Sequence, residues 1–273
     1  MPAGSGMGEP GPLIRNPQQA ADTAMNPAEF DNIARSERDL WWYRGMRRIL
    51  FRALDPCLGA RNIGRVLEVG CGTGYLSYIL EKDRDWQMVP LDYSRKGLIH
   101  ARSMGLERPV QADLRALPFP PATFSLVLAI DVLAHLPHGD EYQAAAELAR
   151  ILVPGGLLVV RTAAFDFLRS RHSQFVFERQ RFTRSRLAGL FAGIGFRMLR
   201  CTYANSLLLP AAIVKFRVWE PLLRKLPRSG VAPVPMWLDR LLYRPLACEA
   251  GWIGRGHNLA AGQSLIWIGE KAA

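Results

Sequence analysis

One acidic residue and three glycines stand at the spacing of a ligand-binding turn. Glu68, Gly70, Gly72 and Gly74 follow a short apolar run and precede apolar residues at helical spacing. The pattern predicts a buried parallel strand, a glycine loop and a helix. Glycine has no Cβ, so a ligand can approach the backbone closely, and the helix start offers free N–H groups. Tyr75 stands where a dinucleotide fingerprint requires glycine, and no lysine follows as a P-loop requires.

A second acidic residue, Asp92, follows the next predicted strand, Gln87–Leu91. An acidic side chain at this strand end suits a ribose, because its carboxylate accepts protons from both hydroxyls in charge-assisted hydrogen bonds. The alternative is that Asp92 only caps the predicted helix Arg95–Ser103. Ser94 is an equally good candidate for that cap.

The acidic-plus-three-glycine motif resembles the class I S-adenosylmethionine (AdoMet) methyltransferases, in particular the type 11/12-like members. Two other stretches are similar to that family, Leu117–Phe124 and the Leu-x-Pro-Gly-Gly run at 152–156. The resemblance covers residues 30–200 and the last predicted strand. It implies an α/β, Rossmann-like fold, with a seven-stranded, mostly parallel sheet, helices on both faces and a helical insertion before the last strand. It also implies AdoMet as the cofactor and methyltransferase activity.

The same resemblance implies a cofactor site at the ends of several strands. Its predicted members are Glu68, Gly70, Cys71, Gly72, Gly74, Asp92, Tyr93, Asp113, Leu114 and Asp131. Within this set, the resemblance places Asp113 at the adenine amino group, with the backbone of Leu114 beside it.

Residues 41–48 combine two tryptophans, a tyrosine and three arginines. A similar Trp-Trp-aromatic-Arg segment precedes the first strand in many bacterial members of the family. The resemblance implies a cap over the cofactor pocket, with Tyr43 or Arg44 near the cofactor carboxylate. The alternative is a surface helix that packs its aromatic face on the domain.

Two histidines, His135 and His172, follow the fourth and fifth predicted strands and are the candidates for a catalytic base. AdoMet carries its own sulfonium leaving group, so the protein must mainly hold the acceptor in line with the methyl carbon. An amine or enolate acceptor needs no base, whereas a hydroxyl acceptor does, and histidine suits that task. A purely structural role for His135 remains an alternative. Glu178 stands where related sequences have a histidine, so the acceptor chemistry does not carry over.

Composition indicates an ordinary globular protein. Of the 273 residues, 49% are hydrophobic and 22% are charged. The four cysteines form no C-x-x-C pair, so neither a metal site nor a disulfide framework is expected, and a reducing, cytoplasmic location is predicted. No signal peptide is apparent, and the longest apolar run, at 207–214, is too short to span a bilayer.

The chain divides into five predicted segments. Residues 1–25 are a disordered tail, 26–64 an N-terminal helical cap and 65–200 the AdoMet-binding Rossmann-like core. Residues 201–262 form a proline-broken helical insertion that serves as an acceptor lid, and 263–273 the last strand of the core. About sixty residues between two strands exceed an ordinary connection, which is why an insertion is expected.

The positive charge is concentrated beside the predicted acceptor. The formal net charge is +11, and residues 161–260 alone carry +12. This placement predicts an acidic small-molecule or lipid-linked acceptor, with peripheral contact to an anionic membrane as a further hypothesis. Residues 215–226 mix Trp, Leu and basic side chains as interfacial helices do, although a plain core-packing helix fits equally well. The sequence does not indicate an oligomeric state.

Two other functions compete with a small-molecule or lipid methyltransferase. The basic charge also fits an RNA or other nucleic-acid methyltransferase, but no Asn-Pro-Pro-Tyr follows the fourth strand and no RNA-binding module is recognisable. A non-catalytic AdoMet-binding protein is the third hypothesis, since a fold does not fix a function. The intact acidic and glycine positions argue against a degenerate pocket.

Overall fold

The computed structural model describes residues 25–223 and 226–272. Most of the predicted tail therefore lies outside the described residues, as do Arg224 and Lys225 of the predicted interfacial segment. The strands are β1 (Arg65–Val69), β2 (Gln87–Asp92), β3 (Val110–Gln111), β4 (Phe124–Ile130), β5 (Leu152–Ala163), β6 (Phe196–Ala204) and β7 (Ser264–Lys271).

These strands form one seven-stranded sheet in the order β3-β2-β1-β4-β5-β7-β6. The first five strands of that order are parallel, and β7 runs antiparallel to both β5 and β6. Because β7 fills the gap between β5 and β6, the last strand completes the sheet. The predicted Rossmann-like α/β fold is confirmed.

The α-helices flank the sheet. They are α1 (Pro27–Ser36), α2 (Trp41–Leu58), α3 (Tyr75–Arg84), α4 (Arg95–Ser103), α5 (Asp140–Ile151), α6 (Arg171–Phe175), α7 (Arg184–Ala192), α8 (Leu209–Val214), α9 (Glu220–Leu223) and α10 (Met236–Gly254). A π-helical turn, Lys215–Trp219, joins α8 to α9. No helix among the described residues is both long and apolar enough to cross a membrane.

Two hydrophobic clusters pack on opposite faces of the sheet. Alternate residues of β5 supply them, with Leu158 and Val160 in one and Leu157 and Val159 in the other. The first cluster includes residues of α5 and α7, and the second includes residues of α2 and α10. Helix α10, although late in the chain, therefore packs against the N-terminal part.

The insertion begins later than the sequence predicts. Strand β6 runs on to Ala204, because its last residues pair with the start of β7. Strand β5 begins at Leu152, which pairs with Phe124 ahead of an irregularity in the register. The Leu-x-Pro-Gly-Gly run at 152–156 is thus part of the strand itself. After Ala204 the chain forms α8, α9 and α10 before it returns as β7.

Candidate functional site

A cavity of about 1150 Å³ opens at the carboxyl ends of β1, β2, β4 and β5. Ligands of open parallel sheets occupy this position, because the strand ends leave a crevice there. The walls come from the glycine loop, from α1 and α2 and from the insertion. The predicted residues that line it are Tyr43, Glu68, Gly70, Cys71, Gly72, Asp92, Tyr93, Asp113, Leu114, Asp131, His135 and His172. The structure does not bring Gly74 or Arg44 to its lining.

The glycine loop needs glycine at each of its three positions. Gly70, Gly72 and Gly74 have φ values of 73°, 57° and 84°, in the left-handed region that other residues rarely adopt. A Cβ on Gly70 would lie 2.6 Å from the Cβ of Val132, whereas a Cβ on Gly72 would meet nothing within 4 Å. Gly70 therefore allows Val132 to pack closely against the loop, and Gly72 leaves space at the cavity wall.

Asp92 ties the end of β2 to this loop. Its Oδ2 accepts a hydrogen bond from Gly72 N at 2.8 Å, and its Oδ1 accepts one from Ser94 N at 2.7 Å. The cap of α4 is Ser94, whose Oγ accepts from Gly97 N at 3.5 Å, so the interpretation of Asp92 as the helix cap is wrong. Burial raises the pKa of Asp92 to about 6. Ribose binding by Asp92 stays a prediction.

Two further carboxyl groups are buried next to the loop. Ser77 Oγ donates to Glu68 Oε2 at 2.5 Å, and Thr73 Oγ1 donates to Glu37 Oε2 at 2.5 Å. Burial raises the pKa of both Glu68 and Glu37 to about 7. Sequence reasoning missed Glu37, which lies between α1 and α2, because no local pattern places that turn at the cavity.

Helix α2 turns Tyr43 toward the cavity and Arg44 away from it. Arg44 forms an ion pair with Asp239 of α10, and its guanidinium lies 4.7 Å from the ring centre of Tyr243. Arg47, one turn further on, lines the cavity instead. It donates to the backbone oxygen of Glu37 at 2.6 Å. The predicted position of Arg44 at the pocket is therefore not what the structure shows.

The carboxylate of Asp113 is held by a neighbouring arginine. Arg115 Nη2 lies 2.5 Å from Asp113 Oδ2, and the Arg115 backbone N donates to Oδ1 at 2.8 Å. Arg115 also pairs with Asp140. Asp113 lines the cavity together with Tyr93 and Leu114. Adenine binding by Asp113 stays a prediction. Burial raises the pKa of the nearby Cys71 thiol, so that group stays neutral.

An ion pair lines the cavity at the end of β4. Arg161 Nη2 lies 2.5 Å from Asp131 Oδ2, and Arg161 Nε donates to Oδ1 at 3.2 Å. Asp131 has a φ of 59°, and its backbone N donates to Arg161 O at 2.7 Å. The Arg161 guanidinium lies 5.4 Å from the ring centre of Trp42. Both members line the cavity. Sequence reasoning did not single out Arg161 as a site residue.

The two candidate bases differ in what they contact. His172 Nδ1 accepts a hydrogen bond from Gly230 N at 2.9 Å and lies 3.8 Å from Glu29 Oε1. His135 Nδ1 is buried and has no hydrogen-bond partner among the described residues. Burial lowers the pKa of both histidines. Both are therefore favoured as neutral imidazoles at pH 7.

Glu178, at the apparent place of a histidine in related sequences, forms a buried ion pair. Arg181 Nε lies 2.6 Å from Glu178 Oε1, and Arg181 Nη2 donates to Ser173 Oγ at 2.8 Å. Arg181 Nη1 also donates to Ala164 O at 3.1 Å. This pair fixes the segment after β5 against the cavity wall, and its groups are already engaged with each other.

Comparison with known proteins agrees with the fold and with the glycine loop. Residues 67–160 match the family model described as a methyltransferase domain. In this region the chain is similar to AdoMet-dependent methyltransferases. A SAM-dependent methyltransferase structure from Archaeoglobus fulgidus aligns with a TM-score of 0.53 at 16% identity, covering 84% of this chain and 94% of that one. At this identity the structural likeness shows the fold alone.

Curated relatives share the core. One, from Mycobacterium tuberculosis, is described as a probable S-adenosylmethionine-dependent methyltransferase and is 34% identical over 123 residues, 45% of this chain and 42% of that protein. Another, a malonyl-[acyl-carrier protein] O-methyltransferase from Enterobacter lignolyticus, is 38% identical over 120 residues, 42% of this chain and 45% of that protein. The chain thus spans less than half the length of these two relatives. AdoMet is the cofactor named for the first of them.

Proposed function

We propose that this protein is an AdoMet-dependent methyltransferase that acts on a small-molecule or lipid-linked acceptor bearing an anionic group. The observation that carries the proposal is the junction of Asp92 with the glycine loop, at the wall of a cavity that continues to the insertion. The loop and Asp92 would bind the cofactor, and the insertion would bind the acceptor. A cytoplasmic location, at or near the inner membrane face, goes with this proposal.

The cofactor would lie across the carboxyl ends of β1, β2 and β3. Asp92 would accept the ribose hydroxyls, Asp113 and the Leu114 backbone would meet the adenine, and Gly72 would leave room for the backbone approach. Tyr43 and Arg47 lie on the α2 side, where a cofactor carboxylate would be met by a cation. When bound, AdoMet supplies an activated methyl group on a sulfonium.

The acceptor would lie between the end of β4 and the insertion. The insertion lines the cavity with apolar residues such as Phe216, Trp219 and Leu223 and with the cations Lys215 and Arg228. Such a wall fits a molecule that has an apolar body and a negatively charged group. The relative from Enterobacter lignolyticus is named for a malonyl group on a carrier protein, which supports an acidic acceptor class.

For a hydroxyl acceptor, His135 is favoured as the general base, because it lines the cavity and makes no hydrogen bond to the described residues of the insertion. His172 would have to release the Gly230 amide before its Nδ1 could take a proton, so its contacts favour a role in holding the insertion. Catalysis in either case depends on holding the acceptor oxygen, nitrogen or carbon in line with the methyl group.

The direct test is a transfer assay with methyl-labelled AdoMet on lysate fractionated into lipid, small-molecule and RNA pools. We expect label in an acidic lipid or small-molecule pool. His135→Gln should abolish transfer to a hydroxyl acceptor without changing AdoMet affinity, whereas His172→Gln should mainly raise KM. Label confined to RNA would contradict the proposed acceptor class, and no transfer from any pool despite AdoMet binding would favour a non-catalytic protein.

A further inference from the structure

The helix that walls the acceptor side also carries an exposed apolar row. Val214, Val218 and Leu222 recur every four residues across α8, the π-helical turn and α9, and Leu222 keeps 73% of its surface exposed. Phe216 and Leu223 of the same helical stretch line the cavity. One side of this stretch therefore walls the cavity, and another presents apolar side chains outward.

The start of α10 repeats this two-sided arrangement. Met236, Trp237 and Leu241 are exposed, with Trp237 at 68%. On other positions of the same helix, Asp239 pairs with Arg44 and Leu242 lines the cavity. The α8–α9 stretch and the start of α10 thus both contribute to the wall of this cavity. Soluble proteins rarely leave so many large apolar side chains exposed in one region without an interaction partner.

Basic side chains accompany these two apolar rows. Arg217 and Lys215 belong to the first, although Lys215 also reaches the cavity lining, and Arg240 and Arg244 belong to the second. All four are exposed, and none has an acidic partner within 4.0 Å among the described residues.

The acidic residues of the insertion form hydrogen bonds or ion pairs with other residues of the protein. Glu220 Oε2 accepts from Arg171 N at 2.9 Å, and Glu249 Oε1 accepts from Leu207 N at 2.7 Å. Asp239 forms an ion pair with Arg44. The outer surface of the two helical segments therefore presents apolar and positively charged groups together.

We infer that this surface, made by the outward residues of α8–α9 and of the start of α10, docks on an anionic lipid bilayer. Tryptophan and leucine side chains enter the boundary between headgroups and acyl chains, while lysine and arginine meet the negative headgroups. The mixture of unpaired cations with apolar groups favours an anionic bilayer over a neutral one. Because the docked helices also line the cavity, a lipid-linked acceptor would enter from the bilayer, a consequence that rests on the proposed function.

The test is flotation of the full chain with vesicles of phosphatidylcholine alone or mixed with phosphatidylglycerol, at low and high salt. We expect binding to the anionic vesicles only, weakened by salt. Arg240→Glu with Arg244→Glu should weaken it by about tenfold or more, since each basic residue near the surface contributes separately. Trp237→Ser with Leu222→Ser should weaken it at both salt concentrations. Each variant should keep the AdoMet affinity of the parent, which shows that it is folded.

A matched control separates this surface from the overall positive charge. Arg102→Glu with Arg108→Glu changes the net charge equally at exposed positions outside the cavity lining, and should leave vesicle binding nearly unchanged. An equal loss in this control would overturn the inference, as would equal binding to neutral vesicles or none to either. A dimer that dissociates on Trp237→Ser, with no vesicle binding, would assign the surface to a second copy of the chain. None of these results depends on methyl transfer.

Discussion

Asp92 and Gly72 join the two segments that would hold the cofactor. The hydrogen bond from Gly72 N to Asp92 Oδ2, 2.8 Å long, fixes the end of β2 against the loop after β1. A second bond, from Ser94 N, engages the other carboxylate oxygen. The carboxylate is thereby oriented before any ligand arrives, and it retains lone-pair capacity for a hydroxyl donor.

Replacing Asp92 tests this arrangement. Asp92→Ala should lower AdoMet affinity by roughly 1.5–3 kcal/mol, because charge-assisted hydrogen bonds to the ribose are lost. Calorimetry measures the dissociation constant directly. Asp83→Ala removes an exposed carboxylate outside the cavity lining and serves as the control. An unchanged constant for Asp92→Ala would show that this residue only organises the loop.

The buried carboxyl groups predict a pH dependence. Burial raises the pKa of Glu37 and Glu68 from 4.5 to about 7, and that of Asp92 from 3.8 to about 6. The folded chain without ligand thus holds protons that the unfolded chain has released. The stabilisation is complete below about pH 4 and is lost as the pH rises to about 7. Urea unfolding across this window should show the contribution of these groups, less the effects of other titrating residues, as a fall in stability with pH.

Cofactor binding should release protons in the same window. Ribose hydroxyls that donate to Asp92 favour its charged form and lower its pKa. AdoMet affinity should therefore rise between about pH 5 and pH 7, and calorimetry at about pH 6 in buffers of different ionisation enthalpy should detect the released proton. Asp92→Asn should remove the release that comes from this residue. Proton uptake on binding would contradict the expected hydrogen bonds.

Gly72 and Gly74 should respond differently to alanine. A Cβ on Gly74 would lie 2.7 Å from the Cβ of Ala101 and 2.8 Å from Leu106 Cδ1. Gly74→Ala should therefore lower the free energy of unfolding by roughly 2–4 kcal/mol through crowding and backbone strain. Gly72→Ala meets no atom within 4 Å, so it should cost roughly 1–2 kcal/mol of stability through its left-handed backbone.

Gly72 and Gly74 should also differ in their effect on AdoMet binding. Gly72 lines the cavity, whereas Gly74 does not. Gly72→Ala should therefore weaken AdoMet binding beyond its effect on stability. Equal binding by Gly72→Ala and the parent, at a temperature where both are folded, would mean that the cofactor does not pass this glycine.

Arg44 and Arg47 form a matched pair on α2. Arg44→Ala should leave AdoMet affinity unchanged and cost under about 1 kcal/mol of stability, because its ion pair with Asp239 is partly exposed. Arg47→Ala should weaken AdoMet binding roughly tenfold, if its guanidinium meets the cofactor carboxylate. Calorimetry and urea unfolding on both variants distinguish the two residues. A larger binding loss for Arg44→Ala would restore the original sequence prediction.

The sequence predicted what local spacing determines. The glycine loop, the position of Asp92 and the parallel core follow from strand ends and from residue types that suit each turn. Asp113 and Asp131 were expected at the cavity from the family resemblance. The prediction of Arg44 failed because α10 decides which face of α2 points outward, and Asp239 lies 195 residues away in the chain. Glu37 was missed for the same reason, since tertiary packing alone brings it to Thr73. Local patterns could not choose between Asp92 and Ser94 as the cap, because both residue types cap helices well.

The central claim is that this cavity binds AdoMet, and titration calorimetry of the purified chain measures it most directly. We expect AdoMet and its demethylated product to bind with micromolar dissociation constants and NADH not to bind, because the loop lacks the third glycine of a dinucleotide fingerprint. Binding of NADH, with no heat from AdoMet or its product, would contradict the claim.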